Sequence, residues 1–351
     1  MKQNFAPIYI ALASATLFGA STPAAKLLLG HVDAPLLAGL LYLGSGLGLL
    51  ACIKVRKALK LESGSARVRA ADWPWLIAAV TSGGIIAPLL LMIGLKTTLA
   101  GTASLLLNLE AVFTSLLAWF AFKENFDRRI FLGMVAIVGG SVLLTWQPGT
   151  ATGLSAGALA VIAACFCWAL DNNFTRNISQ CDPLQIAALK GLAAGSVNCV
   201  VALACGSMLP APSTILVIAT IGFLGYGVSL VLFITALRSL GTARTGAYFS
   251  TAPFAGALLS LAFLHDRLST NLLMAGGLMA LGLWLHLTEN HNHAHSHPEE
   301  EHEHWHRHDE HHNHHHDFPV EPGEEHVHWH RHEAITHAHA HFPDSAHRHD
   351  H

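Results

Sequence analysis

Apolar residues in this chain come in unbroken runs of about twenty, rather than at the helical or alternating spacing of an element with one wet face. A run of that length crosses a bilayer as a helix, because only a helix satisfies each backbone polar group within its own segment. Ten such runs are present, at roughly 7–29, 35–53, 74–95, 101–121, 130–147, 155–174, 184–205, 213–236, 246–264 and 270–288. The predicted fold is an all-α integral membrane protein of ten transmembrane helices. The pattern stops at residue 288, and a polar His-rich segment fills 289–351. Gly and Ala recur through the runs (Gly133, Gly139, Gly140, Gly276, Gly277), which suits close helix packing in lipid. Trp73, Trp75, Trp146 and Trp284 fall near span ends, where amphipathic rings prefer to sit.

Composition supports this reading. Of 351 residues, 52% are apolar and 12% charged, against about 25% charged in soluble domains. Charge divides the chain into two different polymers. Residues 1–288 hold 17 Lys/Arg and 9 Asp/Glu, whereas 289–351 hold 3 Lys/Arg, 14 Asp/Glu and 23 of the 26 His. A greasy basic core with an acidic tail excludes a dinucleotide-binding enzyme, a disulfide scaffold and a nucleic-acid binder. With the N-terminus inside, the inner connectors carry Lys54, Arg56, Lys57, Lys60, Arg67, Arg69, Lys123, Arg128, Arg129, Arg176, Arg238 and Arg244, with Lys2 before the first span. The outer connectors carry Lys96 and Arg267. That bias places both termini in the cytoplasm of a bacterial inner membrane. The first apolar run shows no convincing cleavage site, so it reads as a span and not a signal peptide. Cys52, Cys165, Cys167, Cys199 and Cys205 lie in or beside apolar runs and Cys181 in a connector, without a CxxC pair, so they read as small buried thiols.

The pattern runs twice. Leu95-Lys96-Thr97 precedes Leu237-Arg238-Ser239 by 142 residues, Leu116-Leu117 precedes Leu258-Leu259 by the same distance, and Glu124 falls on Asp266. Phe18 and Lys26 match Trp168 and Arg176 at an offset of 150. Five helices per half make the second copy inverted, an architecture that places a transport site between the repeats. The expected division is 1–148, 149–288 and the tail 289–351. Phe18-Gly19 with Pro23 and Lys26, the stretch from Gly101-Thr102-Ala103 through Val112-Phe113 to Lys123-Glu124, and their counterparts Trp168-Ala169, Ala252-Pro253-Phe254 and His265-Asp266 carry a family resemblance. In them the chain resembles the EamA-type transporters of the drug/metabolite transporter superfamily over about 7–288. It departs from that pattern at Ala111, where Pro is frequent, and at Asp266, where Glu is expected. The resemblance implies ten helices and export of a small solute, and leaves the solute open. With its His-rich tail, the chain also resembles metal-resistance exporters of the superfamily.

Polar residues inside spans are the candidate transport site. Glu110, beside Asn108, lies near the centre of the fourth span, where an unpaired carboxylate costs at least about 2.5–3.5 kcal/mol. It reads as a substrate or proton site, or as a neutral or paired contact between helices. Asp171 and Asn172 end the sixth span and either add oxygen ligands to Glu110 or form a wetted helix end. Lys190 in the seventh span neutralises one of these carboxylates or reaches the inner interface, and Lys26 snorkels outward or joins the site. His31, His265 and His286 stand near span ends, and Met92 and Met134 read as packing. No HExxH, ATP-binding loop or intramembrane thiol motif is present, so the chain is expected to be a gradient-driven transporter and not an enzyme.

The tail alternates His with small, acidic or aromatic residues. His291, His293, His295 and His297 are followed by His302, His304, His306 and His308, then His311, His312, His314, His315 and His316. A second series comprises His326, His328, His330, His332, His337, His339 and His341. Residues 300–309 and 324–333 are a duplication at a spacing of 24. HxH spacing puts alternate imidazoles on one side of an extended chain, and neutral imidazole beside carboxylates ligates nickel, cobalt or zinc. The composition forms no core, so the tail is expected to be disordered with several exchangeable weak sites. A solubilising or pH-sensitive tail is the plainer alternative.

Together these features predict efflux of a divalent transition metal, nickel or cobalt before zinc, by alternating access, with the tail capturing cytoplasmic metal. No tightly bound cofactor is expected. The expected partners are a small solute or metal ion, the lipid bilayer and a second copy of the chain in a homodimer, with no nucleic acid. Two alternatives stand: an exporter of an amino acid or other small metabolite with a metal-buffering tail, and a membrane-anchored metal store or sensor.

Overall fold

The computed structural model describes residues 6–60, 68–122, 128–146, 155–178, 181–266 and 268–287, and the backbone of 292–297, 300–306, 326–332 and 335–340. The chain forms two units, Met1–Glu289 and Asn290–His351.

The first unit is a helical membrane bundle. Its elements are α1 (Ala6–Leu28), α2 (Ala34–Ala58), α3 (Trp73–Ala79), a π-helical segment Val80–Ile86, α4 (Ala87–Thr97), α5 (Ala100–Leu106), α6 (Leu109–Phe122) and α7 (Arg128–Thr145). The second half comprises α8 (Ala156–Arg176), α9 (Pro183–Ala204), α10 (Pro212–Gly222), a π-helical segment Phe223–Val228, α11 (Ser229–Phe249), α12 (Ala252–Phe263) and α13 (Thr270–Leu287). Among the described residues, seven helical stretches are long and apolar enough to span a membrane, and three shorter apolar helices accompany them. Large apolar side chains such as Phe131, Val200 and Leu216 face outward, as a lipid-contacting surface requires. Trp73, Trp75, Trp146 and Trp284 are exposed. Cys165 and Cys181 are buried but Cys205 is exposed, and none of the six cysteines forms a disulfide.

Most helix ends fall within a few residues of the expected spans. The exception is the connector expected at 237–245, which is helical and belongs to α11. The helix ends instead at Phe249, because Pro253 lacks an N–H and its ring would collide with the carbonyl four residues earlier. The fourth span is broken as well, at Leu107-Asn108 between α5 and α6.

Helix pairing is closed under exchange of the halves. α2 packs on α9 and α7 on α13, while the α4–α8 and α6–α8 pairs are mirrored by α1–α11 and α1–α12. Two five-helix repeats about a pseudo-two-fold axis produce this pattern, and an odd helix count inverts one repeat relative to the other. The π-helical segments correspond at the offset of 142 that aligns the two halves, with Gly83 falling on Gly225. The α2–α9 contact depends on glycine. A Cβ on Gly191 would meet the backbone of Gly46 at 2.6 Å, and one on Gly195 would meet that of Leu43, so the helices approach closely along a Gly-x-x-x-Gly face.

In the second unit, β1 (Asn292–His297) pairs antiparallel with β4 (Ile335–Ala340), and β2 (Glu300–His306) with β3 (His326–His332). The expectation of disorder covered the whole of 289–351, and these backbone ladders are an addition to it. Alternation of His with other residues has the period of a strand, and β2 pairs with β3 across the two copies of the duplicated segment. The side chains of the tail histidines lie outside the described residues, so the metal-ligand expectation for His291 to His341 falls there too.

Candidate functional site

A break in a span releases backbone groups from the helical ladder, and such breaks are tolerated where they border a cavity. Asn108 sits at the break in the fourth span, 1% exposed, and donates its amide to Leu105 O at 3.0 Å. It therefore fastens the kink, and it is not among the residues lining the cavity below. The next turn begins α6, and Glu110 stands in that first turn, where the positive end of the half-helix favours a carboxylate.

Glu110 opens onto a cavity of about 70 Å³ between the repeats. The first half lines it with Phe18, Tyr42, Ser45 and Glu110, and the second with Trp168, Asp171, Asn172, Lys190, Tyr226 and Phe249 among others. Asn172 donates its amide to Glu110 Oε1 at 2.8 Å, bridging α6 and α8. Lys190 Nζ donates to Asp171 Oδ1 at 2.6 Å and Oδ2 at 2.8 Å. Thr175 Oγ1 lies 3.3 Å from that ammonium and donates to Asp171 Oδ1 at 2.9 Å. This pair is almost fully buried, with side-chain exposure of 4% for Lys190 and 10% for Asp171.

Four of the six expected residues, Glu110, Asp171, Asn172 and Lys190, thus share one cavity, but Lys190 pairs with Asp171 and not with Glu110. Lys26 lies elsewhere, at the far end of α1. Its ammonium donates to the carbonyls of Leu95 and, at 2.9 Å, Thr98, capping the end of α4. Nearby, Asp266 Oδ2 accepts from Gly101 N at 2.9 Å at the start of α5. These contacts fasten the end of the bundle opposite the Arg56–Asp182 pair that joins α2 to α9, while Asp171 and Lys190 lie toward that pair.

Sequence reasoning missed the aromatic wall. Phe18 packs on Trp168, Tyr226 and Phe249 with ring centroids 5.8, 5.8 and 5.3 Å away, and Tyr42 lies 5.1 Å from Tyr226. Two of these rings are held by one backbone group. Gly83 O accepts from Tyr42 Oη at 2.9 Å and from Trp168 Nε1 at 3.0 Å, and it belongs to the π-helical segment, whose widened ladder leaves carbonyls available. A Cβ at Gly83 would strike the Asp171 side chain. One signal was available: the phenols of Tyr42 and Tyr226 at mid-span are polar atoms that lipid leaves unsatisfied. Among the described residues, no three His, Cys, Asp or Glu side chains group as a metal site.

Comparison with known proteins agrees with this architecture. The model of the EamA-like transporter family matches residues 6–146 and again 155–288. An uncharacterized transporter of Methanothermobacter thermautotrophicus is 29% identical over 291 residues, covering 79% of this chain and 85% of its own. A probable amino-acid metabolite efflux pump of Salmonella typhimurium is 36% identical over 85 residues, 24% of this chain and 28% of that protein. A probable 4-amino-4-deoxy-L-arabinose-phosphoundecaprenol flippase subunit ArnE of Pseudomonas aeruginosa is 40% identical over 80 residues, 23% of this chain and 66% of its own. One solved structure superposes with a TM-score of 0.62 at 20% identity, covering 80% of this chain and 95% of that one, which speaks to the fold alone. With both halves of the membrane unit matched, and the two meeting at a broken-helix cavity, the chain belongs to the EamA-like transporter family.

Proposed function

We propose that the protein exports a small organic solute by alternating access through the Glu110 cavity, and that its tail buffers divalent metal. The observation that carries this reading is the cavity lining: aromatic rings around the Glu110 carboxylate, which among the described residues is hydrogen-bonded by the Asn172 amide and not by a cation. Rings give an organic body apolar contact, and the few polar groups orient it. Divalent transition metals need three or four nitrogen, sulfur or oxygen ligands, and Asp171 is already committed to Lys190. Metal export, the first expectation from the tail, is therefore less well supported than metabolite export. The named relatives that handle amino-acid metabolites and an aminosugar lipid point the same way. With the connectors rich in Lys and Arg facing the cytoplasm, the cavity lies toward the side from which an exporter loads.

The tail keeps its own role in this reading. Its register sets His302 against His330 and His304 against His328, a backbone placement that suits shared metal ligation. Nickel, cobalt or zinc is its expected ion, held exchangeably.

Cells expressing the intact chain or Glu110→Gln test the proposal by mass spectrometry of medium and cell extract, with nickel, cobalt and zinc content measured in parallel. An organic solute should accumulate in the medium with the intact chain only, and cellular metal should not depend on Glu110. Metal content that falls with the intact chain and recovers in Glu110→Gln would overturn the reading in favour of metal export.

A further inference from the structure

The charge of the cavity constrains its occupant. Besides two tyrosines, three acidic or basic side chains line it, and two of them answer each other, since Lys190 directs its ammonium at both Asp171 oxygens and at Thr175. Glu110 remains, held at one oxygen by the Asn172 amide and with no cation engaged among the described residues. A lone carboxylate away from water is costly, and either a proton or a cation offsets that cost, so a cationic solute and a proton compete for Glu110. The surrounding rings act in the same direction, because aromatic faces attract cations and the apolar body that carries them. By contrast, a carboxylate on the solute would find the one described cation of the lining already engaged.

We propose that the transported solute is an organic monocation, a primary amine whose ammonium sits at Glu110 and whose carbon body lies among the rings. The inference rests on the reading of this cavity as the route of an organic solute, and it narrows that reading to monocations over zwitterions and neutral molecules.

The test uses the purified full chain and three probes of one skeleton: n-pentylamine, 1-pentanol and norleucine, which adds a carboxylate to the amine. Binding is read at neutral pH by tryptophan fluorescence and thermal shift. Pentylamine should bind at least about tenfold tighter than either other probe. Glu110→Gln should abolish that preference while keeping an acceptor for Asn172. Equal or tighter binding of pentanol or norleucine by the unmodified chain would overturn the inference, as would an amine preference that survives Glu110→Gln. Organic export observed in cells alongside such a result would leave the broader reading standing, so the two fail separately.

Discussion

Lys190 and Asp171 illustrate how a buried pair behaves at the level of single residues. Their contacts leave little of either group unsatisfied, yet removing one partner strands the other charge. Lys190→Met should therefore destabilise the detergent-solubilised protein by about 3–5 kcal/mol, whereas Lys190→Met with Asp171→Leu should recover most of that loss. Thermal unfolding of the two variants checks the expectation. Lys26 is tied differently, through its ammonium to backbone carbonyls at the end of α4. Lys26→Met should cost about 1–3 kcal/mol by leaving those acceptors unpaired and should leave pentylamine binding unchanged, because the residue does not line the cavity. A loss of binding in Lys26→Met that exceeds its loss of stability would contradict that placement.

At the scale of helices, irregular backbone borders the site in both halves. The π-helical segment of the third span supplies the carbonyl that holds Tyr42 and Trp168, and its counterpart carries Tyr226. The breaks at Leu107-Asn108 and Ser250-Thr251 lie at almost the same offset and present Glu110 and Phe249 to the cavity. Regular helices join these irregular parts, and α2 and α9 make the most extensive such contact. Gly191→Ala should destabilise the bundle by about 1–3 kcal/mol, since the added methyl meets backbone that cannot swing aside. Gly277→Ala, with nothing within 4 Å of its Cβ, should be neutral or slightly stabilising because it removes a flexible residue from α13. Melting temperatures of the two variants, measured side by side, decide this.

Over the whole molecule, transport and metal binding should separate along the division at residue 289. A chain ending at residue 288 keeps every described element of the membrane unit. It should retain amine binding and organic export and lose binding of nickel or zinc, as followed by equilibrium dialysis. In the full chain, metal binding should fall as pH drops through about 6.5, because a protonated imidazole cannot ligate and protons compete for each site. Metal affinity unchanged between pH 7.5 and 5.5 would point to carboxylate ligands instead. Loss of organic export on truncation would show that the tail acts in transport itself.

The span count, the repeat and the position of Glu110 within a span are all legible in the sequence, and for one reason. Lipid imposes a length on each apolar run and a penalty on each polar residue within it, so both rules act locally along the chain. The same locality exposed Asp171, Asn172 and Lys190 as exceptions. Their partners were decided only in three dimensions, because a charge in a membrane core pairs with whichever residue the packing brings near. Thus Lys190 chose Asp171 on the adjacent helix, Lys26 went to the end of α4, and Asn108 turned to its own backbone. The aromatic wall was invisible for a related reason: an apolar ring looks alike in sequence whether it faces lipid, core or cavity. Only the meeting of the two halves, set by glycine contacts and released backbone carbonyls, distinguishes Phe18 and Trp168 in the cavity from Phe131 and Trp146 on the outer surface.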